Sequence, residues 1–353
     1  MPDAYSKAGV DIDRANETVE RYRRLLPQHG GDARVLSGIG AFGGCFALPR
    51  YRDPVLVAST DGVGTKVLVA AALERYDTVG QDLVHHCIND IACSNAQPLF
   101  FLDYLAMGVL HADVAAAIVG GIATACARYE VALLGGETAE MPGVYAASHF
   151  DLAGTIVGAV ERADVIDIET VVSGDVIIGL PANGLHTNGY SLARSVLPRE
   201  RWHEKVAADS DLSIADALLA IHPCYLPHVR AVQHAGVQIK SMAHITGGGL
   251  LENLPRAIPE HLAARLDPRA WTVPPLAALL VERAQLDREE RYRVLNMGVG
   301  FCMIVAAADG QRALNAARLA IAQHPIPDAE AQNAAIVGEV EPRHPCGPAV
   351  ILA

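Results

Sequence analysis

The segment PVLVASTDGVGTK, residues 54–66, carries the clearest structural signal in the first half of the chain. Its apolar part, residues 54–60, carries β-branched side chains and predicts a buried strand that ends at Asp61. The turn after it combines small residues with a charge of each sign: Asp61, Gly62, Gly64 and Lys66. A carboxylate and an amine beside glycines suit Mg²⁺ and phosphate groups. A solvated hairpin turn with a lysine on its rim is the alternative.

Residues 79–95, further along the chain, have the apolar spacing of an amphipathic helix, with Asp82, His86 and Asp90 on its other face. Further strands are predicted at 99–106, 131–134 and 152–160, with an alanine-rich helix at 111–128. Adjacent side chains diverge on a helix, so the pair His85 and His86 is interpreted as a surface or interface feature rather than a metal site.

A crossing segment at 161–175 separates this half from a second set of signals. These predict strands at 176–180 and 299–305 and helices at 190–197, 214–220 and 276–285. We therefore expect an α+β chain of two domains. Residues 1–165 would form an N-terminal domain, and residues 166–353 a C-terminal α+β domain.

Composition excludes several classes of function. The 353 residues include 28 Lys plus Arg against 40 Asp plus Glu, a net charge of -12, so no basic field is available for nucleic acid or an anionic membrane. No apolar run approaches the roughly 18 residues of a spanning helix, and no signal peptide is recognised, so we expect a soluble, cytoplasmic protein. Seven cysteines without a CxxC pair predict core thiols.

Two groups of residues in the first half suggest a nucleotide site. The loop SGIGAFGG, residues 37–44, would let its backbone approach an anion through Gly38, Gly40 and Gly43, although such a stretch is often a plain surface loop. Asn89, Asp90 and Glu137 add polar groups at other element ends. Dispersed carboxylates can hold Mg²⁺ with a nucleotide, or each can merely cap a helix or face water.

Two glycine turns in the second half suggest a phosphate site. HTNGYSL, residues 186–192, leads into a helix through Asn188, Gly189 and Ser191. HITGGG, residues 244–249, repeats the pattern with Thr246, Gly247, Gly248 and Gly249. Free backbone N–H groups at a helix start favour anions. His186 and His244 lie beside these turns, which makes them candidate acid–base groups, whereas a loop histidine is more often inert.

These motifs, together with YSKAGVDID (5–13), INDI (88–91), PLFFLDY (98–104) and GGETAEMPG (135–143), closely resemble the phosphoribosylformylglycinamidine cyclo-ligase (aminoimidazole ribonucleotide synthetase) family. The resemblance spans most of the chain. It implies a two-domain α+β subunit whose N-terminal domains pair into a barrel-like homodimer core, with ATP under the glycine-rich loop. It also implies that Asp61, Asp90 and Glu137 serve Mg-ATP.

The implied reaction is ATP-dependent ring closure of formylglycinamidine ribonucleotide to 5-aminoimidazole ribonucleotide, with Lys66, His186 and His244 as candidate catalytic residues. Two motifs depart from the family, which usually reads LVAM and NCGVGM where this chain has LVHH (83–86) and NMGVGF (296–301). The alternatives are another ATP-dependent phosphotransferase of the same superfamily and a non-catalytic nucleotide-binding regulator.

Overall fold

The computed structural model describes residues 11–26, 31–38, 41–329 and 332–353. These residues form two compact units. The first unit contains the described residues up to 91 together with 96–164, and the second contains 92–95 and 165–353. Each unit combines helices with one sheet, which confirms the α+β class.

The first unit is built on a four-stranded sheet with the order β1-β4-β2-β3. Its strands are β1 (Pro54–Gly62), β2 (Gln97–Met107), β3 (Ala132–Glu140) and β4 (Phe150–Glu161). Strand β4 is antiparallel to β1 and β2, and β2 is parallel to β3. Among the described residues β1 and β3 remain open edges, so the sheet does not close into a barrel within this unit.

Helices cover one face of this sheet. They are α1 (Ile12–Leu25), α2 (Lys66–Leu73), α3 (Asp77–Ala92) and α4 (Ala112–Arg128). Helices α3 and α4 cross at two glycines: a Cβ on Gly80 would lie 2.2 Å from the Ile118 carbonyl, and one on Gly121 would lie 2.1 Å from the Asp77 carbonyl. Only glycine permits this approach. The face of the sheet that contacts α3 is called the inner face below, and the opposite one the outer face.

The second unit is built on a six-stranded sheet with the order β10-β7-β9-β5-β8-β6. Its strands are β5 (Val176–Pro181), β6 (Ile239–His244), β7 (Leu262–Leu266), β8 (Val299–Val305), β9 (Ala335–Pro342) and β10 (Val350–Leu352). All neighbours are antiparallel except β7 and β10. Every residue of β8 is buried, as its continuous apolar run predicts.

Seven α-helices occur among the described residues of the second unit. They are α5 (Tyr190–Val196), α6 (Ile214–Leu219), α7 (Leu226–His234), α8 (Gly249–Asn253), α9 (Pro275–Ala284), α10 (Arg288–Val294) and α11 (Gly310–Gln323). Side chains of α7 and α11 form one apolar core with those of β5 and β8. No helix in the described part of the chain is long and apolar enough to cross a membrane.

Several sequence predictions of local structure can be compared directly. Strand 299–305 is confirmed to the residue. Strand β3 continues to Glu140, six residues beyond its predicted end, because its GGETAE segment stays in parallel register with β2. Strand β1 runs to Gly62, so Asp61 lies inside a strand. The prediction that this strand is buried is wrong, because its residues alternate between exposed and half-buried. The prediction of core thiols is wrong for Cys45 and Cys346, which are exposed.

Candidate active site

The turn between β1 and α2 carries the first group of predicted site residues. Gly64 adopts a left-handed φ of 63°, and α2 begins two residues later at Lys66. The Lys66 side chain points inward and is fully buried, with its Nζ 2.7 Å from Oδ2 of the equally buried Asp82 on α3. Burial lowers the pKa of Lys66, and the negative charge of Asp82 opposes that effect. The structure therefore places Lys66 in a buried ion pair.

Asp61 and Asp90 come together above α3. The Ser59 hydroxyl lies 2.9 Å from Asp61 Oδ2 and 3.0 Å from Asp90 Oδ2, so it can donate to either carboxylate. Strand alternation turns Ser59 and Asp61 to the inner face, where Gly154 is the register partner of Asp61. Both carboxylates are about 30% exposed, so they can accept a ligand from solvent.

His86 lies against the same two carboxylates. Its Nε2 is 3.3 Å from Asp61 Oδ1 and 3.9 Å from Asp90 Oδ2. Burial alone would lower the pKa of His86, but the hydrogen bond with Asp61 and the nearby carboxylates outweigh it, so the pKa is raised. His85 and His86 were interpreted as a surface or interface feature, and the surface alternative is wrong, since both are buried. His85 packs edge-on against Tyr129.

Glu137 lies elsewhere on the sheet. It pairs in register with Tyr104, whereas Asp61 lies in the row of Gly154, Asp103 and Gly136. Glu137 therefore projects from the outer face at the edge strand β3, and Asp61 from the inner face at the opposite edge. At roughly 4.8 Å per strand interval, the two backbones are about 14 Å apart. Within the first unit the structure brings Asp61 and Asp90 together but does not bring Glu137 to them.

The remaining residues predicted for the nucleotide site differ in their exposure to solvent. Asn89 is fully buried in α3, while Gly38 and Gly43 are exposed. The loop that holds these glycines is tied at its base by a bridge between Val35 and Phe46. Phe46 packs on Phe100 of β2 with ring centroids 5.4 Å apart. Gly40 lies outside the described residues.

In the second unit the two predicted glycine turns meet. A Cβ on Gly247 would lie 3.3 Å from Asn188 Oδ1, so the two loops are in direct contact. Gly189 and Gly248 start helices α5 and α8 with left-handed φ values of 78° and 92°. Ser191 is exposed at the start of α5. The side-chain amide of Asn253 donates to the carbonyls of Thr246, Gly247 and Gly249 and so shapes the second turn.

Buried imidazoles link these turns. His222 stacks on His186 with ring centroids 4.1 Å apart, and its Nε2 lies 3.0 Å from Nε2 of His244. One of these two nitrogens must donate and the other accept, so at least one of the two rings is neutral. The Tyr225 hydroxyl donates to the Pro181 carbonyl at 2.8 Å and lies 3.4 Å from His186 Nε2. His186 and His244 thus belong to one buried polar cluster.

Sequence reasoning missed four of these residues: Ser59, His222, Tyr225 and Asn253. The spacing of Asp82, His86 and Asp90 at four-residue intervals placed them on one helix face, which was a usable signal for the first unit. His222 lies 36 residues after His186 in a segment without a motif, and nothing in the sequence connects the two.

Comparison with family models defines the class. A model described as AIR synthase related protein, N-terminal domain, matches residues 32–160, and one described as AIR synthase related protein, C-terminal domain, matches residues 172–347. The chain belongs to this family.

Among particular relatives, the phosphoribosylformylglycinamidine cyclo-ligase of Burkholderia multivorans (strain ATCC 17616 / 249) is 47% identical over 320 residues, which cover 89% of this chain and 90% of the relative. That of Burkholderia mallei (strain SAVP1) is also 47% identical, over 319 residues with the same coverage.

Solved structures share the fold at much lower identity. The hydrogenase maturation protein HypE of E. coli matches with a TM-score of 0.61 at 18% identity, covering 94% of this chain and 92% of HypE. Thiamine-monophosphate kinase from Stenotrophomonas maltophilia K279a matches with a TM-score of 0.61 at 19% identity, covering 94% and 95%. A HypE structure in complex with ATP matches with a TM-score of 0.62 at 18% identity, covering 94% and 90%.

Proposed function

We propose that this chain is an ATP-dependent cyclo-ligase that closes formylglycinamidine ribonucleotide to 5-aminoimidazole ribonucleotide with release of ADP and phosphate. The observation that carries the proposal is 47% identity, over 89% of the chain, to relatives named phosphoribosylformylglycinamidine cyclo-ligase. The contact between the HTNGYSL and HITGGG turns supports this proposal, because a single substrate molecule bound there could touch both turns.

The chemistry explains what such a site must supply. An amide-type oxygen leaves poorly, so ATP phosphorylates the formyl oxygen of the substrate and releases ADP. The amidine nitrogen then attacks the activated carbon, the ring closes, and the oxygen leaves as phosphate. The protein's tasks are to position the reactants, to neutralise charge and to move protons.

In the first unit, Asp61 and Asp90 would serve Mg-ATP together with the glycines of the loop at 37–44 and of the turn at 61–64. Their hard carboxylate oxygens come from two elements, remain partly open to solvent and share one hydroxyl donor, which fits such a metal. Mg²⁺, when bound, supplies charge neutralisation of the phosphates. Asn89 and Glu137 are proposed as ATP-binding residues on the family resemblance alone. A catalytic role for Lys66 rests on the same resemblance, and its buried ion pair with Asp82 offers a structural role as the alternative.

In the second unit, the turns around Asn188 and Gly247 would hold the phosphate of the ribonucleotide. Their backbone N–H groups suit a phosphate dianion. His244 and His186 would accept or donate protons, and the His222 to His244 hydrogen bond would keep one ring neutral and able to accept.

We also propose that the protein acts as a homodimer in which two first-unit sheets pair into a barrel-like core. The outer face of this sheet supports the proposal, since it carries apolar side chains such as Leu56 (64% exposed) and Tyr104 (39% exposed). Pairing of two such sheets would remove these side chains from water. A cytoplasmic location stays a prediction.

Coupled assay of ADP release tests the proposed function. ATP hydrolysis that depends on formylglycinamidine ribonucleotide, with formation of 5-aminoimidazole ribonucleotide, is the expected result. Hydrolysis that ignores this substrate would point to a phosphotransferase with another acceptor. Nucleotide binding without any hydrolysis would point to a regulator.

A further inference from the structure

Asp61, His86 and Asp90 place three metal-ligating side chains at one point of the first unit. One ligand atom from each lies within 4.8 Å of the other two. Asp61 comes from the inner face of β1, while His86 and Asp90 come from successive turns of α3. The set therefore joins a strand to a helix, and it contains nitrogen as well as oxygen.

The separations suit ligands of a single ion. Two metal bonds of about 2.1 Å that enclose an angle of roughly 90° to 140° put their ligand atoms about 3.0 to 3.9 Å apart. His86 Nε2 lies 3.3 Å from Asp61 Oδ1 and 3.9 Å from Asp90 Oδ2. An ion could therefore reach all three atoms with small side-chain rotations.

Burial holds the imidazole in this place. The His86 side chain is only 7% exposed, while each of the two carboxylates is 30% exposed. The imidazole is thus fixed behind the carboxylates, and the carboxylates form the open side through which an ion can enter. A ring held in place in advance loses little side-chain freedom on binding.

We propose that Asp61, His86 and Asp90 form a site for a divalent transition-metal ion of the Mn²⁺ to Zn²⁺ series, with Nε2 of His86 as a ligand. Imidazole is a good ligand for these ions, whereas Mg²⁺ prefers oxygen and retains water. The ligand set thus favours a transition metal over Mg²⁺. The residue responsible lies in the LVHH segment, where the chain departs from the LVAM of the resembled family.

This inference adds a ligand and an ion class to the site of the proposed function, and it rests on that function because Asp61 and Asp90 are also the carboxylates proposed to serve Mg-ATP. His86 could alternatively act only as a counter-ion that neutralises Asp61 and Asp90. The two roles have opposite consequences. Replacing a ligand weakens the binding of a transition metal, whereas removing a competing positive charge strengthens the binding of every cation.

Titration of the full-length protein with CoCl2 and MgCl2 at mildly alkaline pH, without nucleotide, distinguishes these roles. Co²⁺ binding is followed by its visible absorption and Mg²⁺ by competition against Co²⁺. The variants are His86→Gln, which offers an amide oxygen in place of nitrogen, and His86→Met, which restores the family residue. His85→Gln is the matched control, because His85 is the adjacent buried imidazole and packs on Tyr129.

We expect Co²⁺ affinity to fall by at least roughly tenfold in both His86 variants, since even outer-shell residues alter metal affinity by 10- to 100-fold. Mg²⁺ affinity should change less, and His85→Gln should behave like the parent. The ¹H NMR spectrum of the Co²⁺ form should contain a strongly shifted, solvent-exchangeable imidazole N–H resonance that His86→Gln removes. Asp61→Asn should abolish the same resonance.

Unchanged or tighter Co²⁺ binding in both His86 variants, or a shifted resonance that survives in His86→Gln, would overturn the proposal. Circular dichroism spectra of all variants identify any that fail to fold, and the NMR signal of the parent protein tests ligation without a variant. Substrate-dependent ADP release by the parent is measured separately. A protein that binds Co²⁺ through His86 but does not close the ring supports this site and refutes the proposed function.

Discussion

Lys66→Met is the substitution that separates a structural from a catalytic lysine. The Lys66 Nζ and Asp82 Oδ2 atoms lie 2.7 Å apart, and both side chains are completely buried. Removing one partner of such a pair leaves an uncompensated buried charge, which costs about 3 to 5 kcal/mol. A natural protein has only about 5 to 15 kcal/mol of unfolding free energy, so the first unit should be strongly destabilised.

The assay has to report on the first unit. Both tryptophans, Trp202 and Trp271, lie in the second unit, so their fluorescence would miss the effect. Urea unfolding should instead be followed by far-ultraviolet circular dichroism, together with hydrogen exchange of helices α2 and α3. The double variant Lys66→Met/Asp82→Asn should be more stable than Lys66→Met alone, because it removes the remaining charge.

Stability and turnover together separate the two roles of Lys66. If Lys66→Met unfolds at the same urea concentration as the parent but loses substrate-dependent ADP release, the ion pair contributes little and Lys66 acts on the reaction. If the single variant loses stability and the double variant recovers both stability and turnover, the lysine is structural.

Two further predictions concern other buried groups. Burial raises the pKa of Asp103 from 3.8 to about 7. Between these two pH values the carboxyl group ionises in the unfolded chain but stays protonated in the folded one, so the unfolding free energy falls as pH rises through this range and is constant above it. Asp103→Asn should therefore raise the unfolding free energy at pH 8 by at most about 4 kcal/mol and leave it nearly unchanged near pH 4. Urea titrations at the two pH values measure this difference, and the exposed substitution Asp209→Asn is the control. His244→Ala or His186→Ala should lower the turnover number by roughly 100-fold or more with little change in ATP affinity, and an effect confined to the KM of the ribonucleotide would assign these histidines to binding instead.

Sequence patterns predicted several elements that carry a long apolar run or a broad apolar face. Strand β8 and helix α4 belong to this group, because every residue of β8 is buried and α4 buries a broad apolar face. The patterns missed β7 and β10, which have only five and three residues and so show too few periods to recognise. Longer elements were missed as well, among them helix α11 with 14 residues and strand β9 with eight. They also ended β3 early, because its Gly135 to Glu140 part has no apolar alternation and is held by pairing with β2.

The candidate site was predictable where its residues share one motif. Asp61 and Gly62 end strand β1 and Gly64 lies in the turn that follows, so one short motif holds all three. The two turns of the second unit each carry their own glycines. Contacts between motifs were not predictable. The proximity of His222 to His186 depends on how loops cross the ends of strands, and the burial of His86 depends on which face of α3 meets β1.

Sheet order also separates Asp61 from Glu137, and this separation leads to a last prediction. Strand β3 lies beside β2 and not beside β1, so the two acids are on opposite edges and opposite faces of one sheet. If both serve one Mg-ATP, we expect Glu137 to come from the second subunit of the homodimer proposed above. Asp61→Asn and Glu137→Gln should then each be inactive alone, yet mixed subunits should regain activity, because one site of each heterodimer would carry neither change. Random mixing makes half of the dimers heterodimers, and each of these has one intact site of two, so the mixture should show about a quarter of the parental turnover.

Refolding the two inactive proteins together and measuring substrate-dependent ADP release tests this sharing of the two acids between subunits, and refolding each protein alone is the control. A mixture that contains heterodimers by mass spectrometry but has no activity would refute sharing of the two acids between subunits.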